Sequence, residues 1–180
     1  AFVVALDVAR SWFRYHQLFA DLLQLELRRS PPDEIAALHH TAAQWYADHG
    51  HPMEAIRHAQ AARDWGLAVR LLGDHWPGLQ LGGQAATVHA LLAGFPADAR
   101  AADAELAALA AADELARGSL EAAERYLGRA ARGAASVPAS RRSQLEVLLG
   151  VVRLLLARQR GNLPAVADQA QRLQAMAEAP

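Results

Sequence analysis

Residues 38–62 read LHHTAAQWYADHG followed by HPMEAIRHAQAA, and this stretch decides the fold that we expect. Apolar side chains recur at helical spacing in its first half, at Leu38, Ala42, Trp45 and Tyr46, and in its second half, at Met53, Ile56 and Ala59. Between the halves, Gly50 can take the left-handed conformation that ends a helix, and Pro52 lies in a first turn, where proline is tolerated. A helical hairpin of this kind cannot bury its apolar face alone, so the stretch predicts further hairpins that stack on it.

Similar turns follow later in the chain. Gly118-Ser119-Leu120 returns 43 residues further on as Gly161-Asn162-Leu163. Small or aliphatic residues lie seven positions before, five after and twelve after Gly50, Gly118 and Gly161. They are Ala43, Ala111 and Leu154, then Ala55, Ala123 and Val166, then Ala62, Ala130 and Leu173. Small residues where two helices touch are typical of tetratricopeptide-like hairpins, and the spacing above the standard repeat of about 34 residues indicates degenerate or longer repeats.

Composition narrows the class of protein. The 180 residues are 53% hydrophobic and rich in alanine, the best helix former, which favours an all-helical domain or short repeat array. The absence of cysteine excludes disulfides, thiolate metal sites and cysteine nucleophiles. The sequence also has no lysine, which removes a Walker lysine, a Schiff-base lysine and a kinase-type lysine together. A net charge of −1 gives no global field that would draw the chain to nucleic acid.

The start of the chain and its apolar runs indicate where the protein is located and whether the chain is part of a longer protein. No basic start precedes the apolar residues 1–6, so a signal peptide is not indicated. The best candidate for a membrane span, residues 145–157, is interrupted by Glu146 and Arg153. We therefore expect a cytoplasmic protein without a membrane partner. Because the chain opens with Ala1 directly on a strand-like run, we interpret it as a piece of a longer protein.

Turn and cap signals divide the rest of the chain. We expect a β-hairpin from residues 2–6 and 11–15 with its turn at 7–10, and a helix over 16–29 with Leu18, Phe19, Leu22 and Leu25 on one face. Asp33 is expected to cap the helix that runs to His49. Trp76-Pro77-Gly78 is expected to interrupt a helix that begins at Asp64. Further helices are expected over 84–94, 100–117, 120–133, 142–160 and 164–177.

The order of several motifs carries a family resemblance. They are WFRYHQLFADLL at 12–23, Leu38-His39, AAQWY at 42–46, Gly50, EAI at 54–56, His58-Ala59, ARD at 62–64, Gly83-Gln84, Leu91-Leu92, Phe95-Pro96 and Gly118. In this order the chain resembles the helical part of large ATP-dependent transcriptional regulators of the LuxR class, the MalT-like group. It departs from that family at Ala90 and Ala112, where the family often has tryptophan, and at Ala104, where it often has proline.

The resemblance implies a domain organisation. In such regulators an NTPase module binds ATP, a winged-helix element follows, a helical repeat senses an inducer or partner, and a C-terminal helix-turn-helix binds DNA. By resemblance, residues 1–30 end the winged-helix element and include its helix, and residues 31–180 form the tetratricopeptide-like sensor repeat. ATP is then expected in the parent chain, with no cofactor and no direct nucleic-acid contact in this region. A kinase domain upstream would instead indicate a related architecture with the same helical module.

Three groups of residues have compositions that occur in chemical sites. His51, Glu54 and His58 share a helix face and suggest a metal site, with His39 or His40 as a further ligand, although packing or hydrogen bonding fits these histidines better. No GxSxG nucleophile elbow occurs, Gly118-Ser119-Leu120 reads as a helix cap, and Glu121 and Glu124 are expected to pair with residues such as Arg125 on their own helix. We therefore expect no enzymatic activity.

The arginines and tryptophans are further candidates for a binding surface. Arg125, Arg129 and Arg132, followed by Arg141-Arg142, are interleaved with acidic residues, which favours a solvated or partner-binding face over a phosphate-binding one. The four tryptophans, at 12, 45, 65 and 76, lie on apolar stripes and are expected in the core. Trp76, beside a Pro-Gly break, is the exception that suggests a ligand pocket.

These observations predict an all-α, tetratricopeptide-like array with a short N-terminal β-hairpin. Its concave surface, or a pocket near Trp76, is expected to bind a small inducer or a regulatory protein and to signal to modules outside this region. The expected surface residues are His40, Gln44, Trp76, Leu148, Val151, Leu155 and Arg158. Two alternatives stay open: a protein-interaction scaffold that contacts other modules or a second copy, and a metal-responsive domain that uses His51 and His58.

Overall fold

A computed structural model describes residues 2–6, 8 and 13–178. Within them lie two short strands, β1 (Val3–Ala5) and β2 (Phe13–Tyr15), and ten α-helices. The helices are α1 (Gln17–Leu27), α2 (Pro32–Asp48), α3 (Pro52–Ala61), α4 (Trp65–Leu81), α5 (Ala85–Ala93), α6 (Ala97–Ala102), α7 (Ala104–Ala116), α8 (Leu120–Gly133), α9 (Ala139–Gln159) and α10 (Leu163–Glu178). The all-α hairpin array and the N-terminal β-hairpin predicted from the sequence are both confirmed.

The two strands pair antiparallel, with Val3 opposite Tyr15. The ring of Phe19 on α1 lies 4.9 Å from that of Phe2 and 5.4 Å from that of Tyr15, so α1 rests against the hairpin. Leu18, Leu22 and Leu25, expected on one face of α1, are exposed. The expected turn at 7–10 and Trp12 lie outside the described residues, residue 8 excepted.

Left-handed residues end five of the helices. Gly50, Gly83, Gly118 and Gly161 have φ angles of +77°, +70°, +82° and +69°, and Arg63 has +58°. After each, the next amide donates to the carbonyl five residues back, as from His51 to Tyr46 (2.9 Å) and from Ser119 to Glu114 (2.8 Å). This is the Schellman arrangement, which satisfies carbonyls at the end of a helix. The three glycine turns predicted from the sequence are confirmed, and Gly83 is a fourth.

The residue after each left-handed position begins the next helix as its N-cap. The Asp64 carboxylate accepts the Leu67 amide at 3.0 Å, and the Asn162 amide oxygen accepts that of Ala165 at 3.2 Å. Ser119 occupies the same position, as expected, but its hydroxyl makes no cap bond. Each hairpin therefore turns within a few residues, which holds its two helices side by side.

Alanines let these paired helices approach closely. Five of the alanines counted from the turn glycines have no exposed surface; they are Ala43, Ala55, Ala111, Ala123 and Ala130. The last hairpin, α9 and α10, has larger residues at these positions. Its helices approach closely at Gly150 instead, where a Cβ would lie 2.7 Å from the Leu173 side chain. The small-residue positions read from the sequence are thus contacts between helices.

Helix α7 is the centre of the core. Eleven of its thirteen residues are buried, and it contacts α4, α5, α8 and α9. Its two buried carboxylates face neighbouring helices: Glu105 meets Arg141, and Asp113 meets Nδ1 of His89 at 2.8 Å. Gly133 on α8 would place a Cβ 3.0 Å from that of Ala104, so the lack of a side chain at Gly133 permits close packing against the start of α7.

Several helix boundaries differ from the sequence-based expectation; α9, for example, begins at Ala139 and not at residue 142. Helix α4 continues through Pro77 to Leu81, because burial of Trp76 and Leu79 on its inner side offsets a proline penalty of about 3 kcal/mol. The helix expected over 100–117 is broken at Asp103, whose carboxylate accepts the Leu106 amide at 2.8 Å and caps α7. Pro31 occupies the N-cap of α2, so Asp33 is in the first turn, where it interacts favourably with the helix dipole.

Of the tryptophans expected in the core, Trp65 and Trp76 pack there and Trp45 does not. Trp76 is buried, and Trp65 packs partly buried with its ring 5.9 Å from that of Phe95. Trp45 is 45% exposed and stacks on His49 at 4.0 Å, and Leu38 is exposed too. The inner side of α2 is centred on Ala43, because an alanine there permits closer helix contact than a tryptophan.

No helix in the described part of the chain is both long enough and apolar enough to cross a bilayer.

The left-handed turns give a direct test of the hairpin geometry. Gly118→Ala should lower the free energy of unfolding by about 1–2 kcal/mol, because L-residues are strained at this φ. No atom lies within 4 Å of the added Cβ, so the backbone alone carries the cost. The matched control is Gly128→Ala inside α8, which should raise the free energy of unfolding by about 0.5–1 kcal/mol. Equal effects of the two substitutions in urea denaturation would contradict the turn assignment.

Candidate functional site

A cleft of about 450 Å³ opens between α4 and α9, with Glu105 of α7 at its wall. Its α4 side is formed by Gly73, Trp76, Pro77, Gln80 and Leu81, and its α9 side by Gln144, Leu145, Val147, Leu148, Val151 and Leu155. On each helix these residues recur every three or four positions, which places them on one face. The cleft is therefore the gap between two rows of mostly apolar side chains.

The structure brings four of the seven predicted surface residues together. Trp76 lines the same cleft as Leu148, Val151 and Leu155, so the predicted Trp76 pocket and these three residues of the predicted concave surface share one cleft.

The other three predicted residues lie elsewhere. His40 contacts Asp64 at 3.1 Å and its other ring nitrogen lies 2.8 Å from the Gln44 amide, which forms a polar cluster on α2. Arg158 is exposed on α9 outside the cleft lining. Gln80 and Leu81 follow Pro77, which predicts a helix break and so conceals that they share a helix face with Gly73 and Trp76. The spacing of three to four residues around Trp76 is the signal that identifies them.

An ion-pair network adjoins the cleft through Glu105 and Gln144, which line it. The Arg141 guanidinium donates to both carboxylate oxygens of Glu105, at 3.1 and 2.8 Å, and to Asp74 at 2.6 Å. The Gln144 amide donates to the same Asp74 oxygen at 2.7 Å. Because these residues come from α4, α7 and α9, the network ties the three helices around the cleft to one another.

Arg141 is held as a cation in this position. Its side chain is 15% exposed and that of Glu105 is 10% exposed. Hydrogen bonding to Glu105 raises the pKa of Arg141 above its ordinary value against the effect of burial, and Asp74 adds to the rise. Gly73 makes room for the pair, since a Cβ there would lie 3.3 Å from the guanidinium.

Trp76 presents a polar atom without a partner. Its indole Nε1 is buried and has no hydrogen-bond acceptor among the described residues. A buried unpaired donor costs about 1–3 kcal/mol. The cleft is thus lined by a tryptophan whose polar group is unsatisfied.

The predicted arginine face divides in two. Arg125, Arg129 and Arg132 on α8 are exposed, as a solvated face requires, and Arg129 lies 5.4 Å above the Tyr126 ring. Arg141 does not belong to that face, because it is turned inward to Glu105.

The expected pairing within α8 is also corrected. Glu124 forms an ion pair with Arg160, at the C-terminal end of α9, at 2.6 Å and not with an arginine of its own helix. The acidic side chain therefore links two helices.

The histidines considered as metal ligands form a hydrogen-bonded pair. Nδ1 of His39 lies 2.8 Å from Nδ1 of His58, whose ring also stacks on Tyr46 at 5.3 Å. Across the described residues, no three histidine or carboxylate side chains are placed to hold a metal ion. Burial lowers the pKa of His58 from its ordinary value, His39 lowers it further, and Glu54 opposes the shift. The pair therefore favours a neutral His58 that joins α2 to α3.

Comparison with known proteins gives matches of two kinds. Residues 1–35 match the family model of the MalT winged helix domain. The serine/threonine-protein kinase PknK of Mycobacterium tuberculosis (strain CDC 1551 / Oshkosh) is 34% identical over 155 residues, which cover 82% of this chain and 14% of the kinase. PknK of Mycobacterium bovis matches to the same extent.

The HTH-type transcriptional regulator MalT of Yersinia enterocolitica is 38% identical over 74 residues, which cover 41% of this chain and 8% of the regulator. The chain thus spans about a seventh or less of the length of these relatives. No solved structure matches the chain.

The ion-pair network yields a stability prediction. Arg141→Met should lower the free energy of unfolding by about 3 kcal/mol, because it leaves the Glu105 carboxylate buried without its cation. Arg142→Met, at the exposed neighbouring arginine, should change it by less than about 0.5 kcal/mol. Urea denaturation measures both, and similar values for the two variants would show that the network does not hold the helices.

The histidine pair predicts a pH dependence. Because folding lowers the pKa of His58, the unfolded chain binds more protons below the ordinary value of 6.5, and the free energy of unfolding should fall as the pH drops through that region. His58→Gln should flatten this part of the profile. Urea denaturation from about pH 7.5 to about pH 5.5 compares the two proteins; parallel profiles would rule out the pair as the cause.

Proposed function

Because this chain is a MalT-like region, with a winged-helix match at residues 1–35 and a helical array after it, we propose that it is the non-catalytic regulatory region of a larger transcription regulator. The cleft between α4 and α9 is its effector site. The observation that carries this proposal is the position of the cleft: an apolar gap between two helices that meet the central helix α7.

The geometry suggests how binding is transmitted. A ligand between α4 and α9 changes the free energy of the arrangements in which these helices are closer together or further apart. The Arg141 network connects both helices to α7, so a shift at the cleft is passed to the core of the array. A ligand that binds one arrangement more tightly shifts the population toward that arrangement. The attached modules change state with it if they contact the two arrangements differently.

The parent protein, in this proposal, is a cytoplasmic ATP-dependent regulator of the LuxR class. ATP binds to a module outside this region, and DNA binds to another. This region takes a small-molecule inducer or a regulatory protein, contacts the other modules, and can self-associate, without touching nucleic acid or membrane.

A kinase parent is the second candidate. The match to PknK covers twice as much of this chain as the match to MalT. Phosphoryl transfer would then reside elsewhere in the parent, because a kinase domain needs a lysine for the ATP phosphates and this chain has none. The sequence upstream decides between an NTPase module and a kinase domain.

The remaining alternative is a scaffold that binds a protein without a small ligand. A pull-down distinguishes it, because a scaffold captures its partner protein when no small molecule has been added.

Filling the cleft tests the regulatory role. In the full-length parent, Val151→Trp places a large ring in the cleft, and Leu163→Trp places the same ring on an exposed position outside it. Val151→Trp should change DNA binding or phosphoryl transfer by about fivefold or more, the lower end of ordinary allosteric coupling, and Leu163→Trp should not. Circular dichroism confirms that both variants are folded. Equal output from wild type and Val151→Trp would contradict the proposal.

A further inference from the structure

We infer that the cleft binds a neutral, lipophilic small molecule with at most one or two polar groups; this inference rests on the proposed role of the cleft as the effector site. It concerns the class of ligand, which three properties of the cleft define: its lining, its charge and its size.

The lining is almost entirely hydrocarbon. Trp76 and Leu81 on one side face Leu145, Leu148, Val151 and Leu155 on the other. A polyhydroxylated ligand such as a sugar would lose its hydrogen bonds to water and find few replacements, which is unfavourable in an apolar site. The side-chain amide of Gln80 and the amide oxygen of Gln144 suffice for one or two polar groups of a mainly apolar molecule.

The charges at the cleft are already compensated. Glu105 is the charged residue among those that line it, and both of its carboxylate oxygens accept hydrogen bonds from Arg141. The amide nitrogen of Gln144 is likewise engaged by Asp74. A charged ligand would therefore be desolvated without an available counter-ion, a cost that a neutral ligand avoids.

The size fits a small molecule. A volume of about 450 Å³ lies within the range of about 300–1,000 Å³ that is typical of small-molecule pockets. The lining of α9 from Gln144 to Leu155 extends for about 16 Å at 1.5 Å per residue. Leu81, at the rim, is 91% exposed, so the apolar lining continues to the surface and leaves an entry path.

A matched pair of fluorescent probes tests the class of ligand. N-phenyl-1-naphthylamine is neutral, and 8-anilino-1-naphthalenesulfonate has the same ring skeleton with an added sulfonate. The neutral probe should bind saturably, with one site per chain and a Kd at least tenfold lower than that of the sulfonated probe, and sucrose in large molar excess over the probe should not displace it.

Two Leu→Gln variants locate the binding. Leu155→Gln, in the cleft, should weaken binding of the neutral probe at least fivefold. Leu22→Gln lies in a second apolar hollow, formed with Phe2, Leu18 and Phe19, and should leave binding unchanged. Circular dichroism checks that both are folded, and Val147→Gln at the more exposed cleft rim replaces Leu155→Gln if the latter unfolds.

The outcomes separate this inference from the proposed function. Equal affinity for the two probes, displacement by sucrose, or loss of binding in Leu22→Gln alone would overturn the lipophilic ligand. If the cleft-filling Val151→Trp variant still alters the output of the parent in that case, the regulatory role stands and the occupant is of another class, such as a protein segment. Tight binding of the neutral probe together with unaltered output in Val151→Trp would support the ligand class and overturn the regulatory role.

Discussion

Close approach of paired helices is the constraint on which the whole structure depends. A left-handed residue ends each of five helices, and the hydrogen bond that follows it turns the chain within a few residues. Two helices held so near to each other can pack only where their facing side chains are small. Fully buried alanines such as Ala43, Ala55, Ala111 and Ala123 supply that contact, and the stacked hairpins then enclose α7 as a common core.

The cleft follows from the same packing. Helices α4 and α9 flank α7 without filling the space between them, and their apolar rows face this gap. Breaking the buried pair between Arg141 and Glu105 leaves a charge without a partner, so this pair holds α9 to α7 more effectively than an exposed pair would. Asp74, whose side chain is 44% exposed, extends the same network to α4. A site between helices that are linked in this way is suited to regulation, because its ligand can change the spacing of the helices.

The sequence was informative where structure is determined locally. Gly50, Gly118 and Gly161 marked hairpin turns because glycine takes a left-handed φ without strain, and residues spaced from them marked helix contacts. It failed where tertiary packing overrides local preference, as at Pro77, which lies inside α4 because its neighbours are buried. The bonds of Arg141 to Asp74 and Glu105 join residues 67 and 36 positions apart, and no local pattern specifies such pairs. Of the predicted site, the apolar members came together and the polar ones, His40, Gln44 and Arg158, did not.

The central claim is that α4 and α9 flank one site whose ligand sets their spacing. Since the chain has no cysteine, spin labels at Leu81→Cys and Val147→Cys report the distance across the rim of the cleft without background labelling. Pulsed electron double resonance should give a single narrow distance distribution that shifts or sharpens when a neutral lipophilic molecule is added and stays the same when its sulfonated analogue is added. A broad distribution that neither molecule changes would contradict the account.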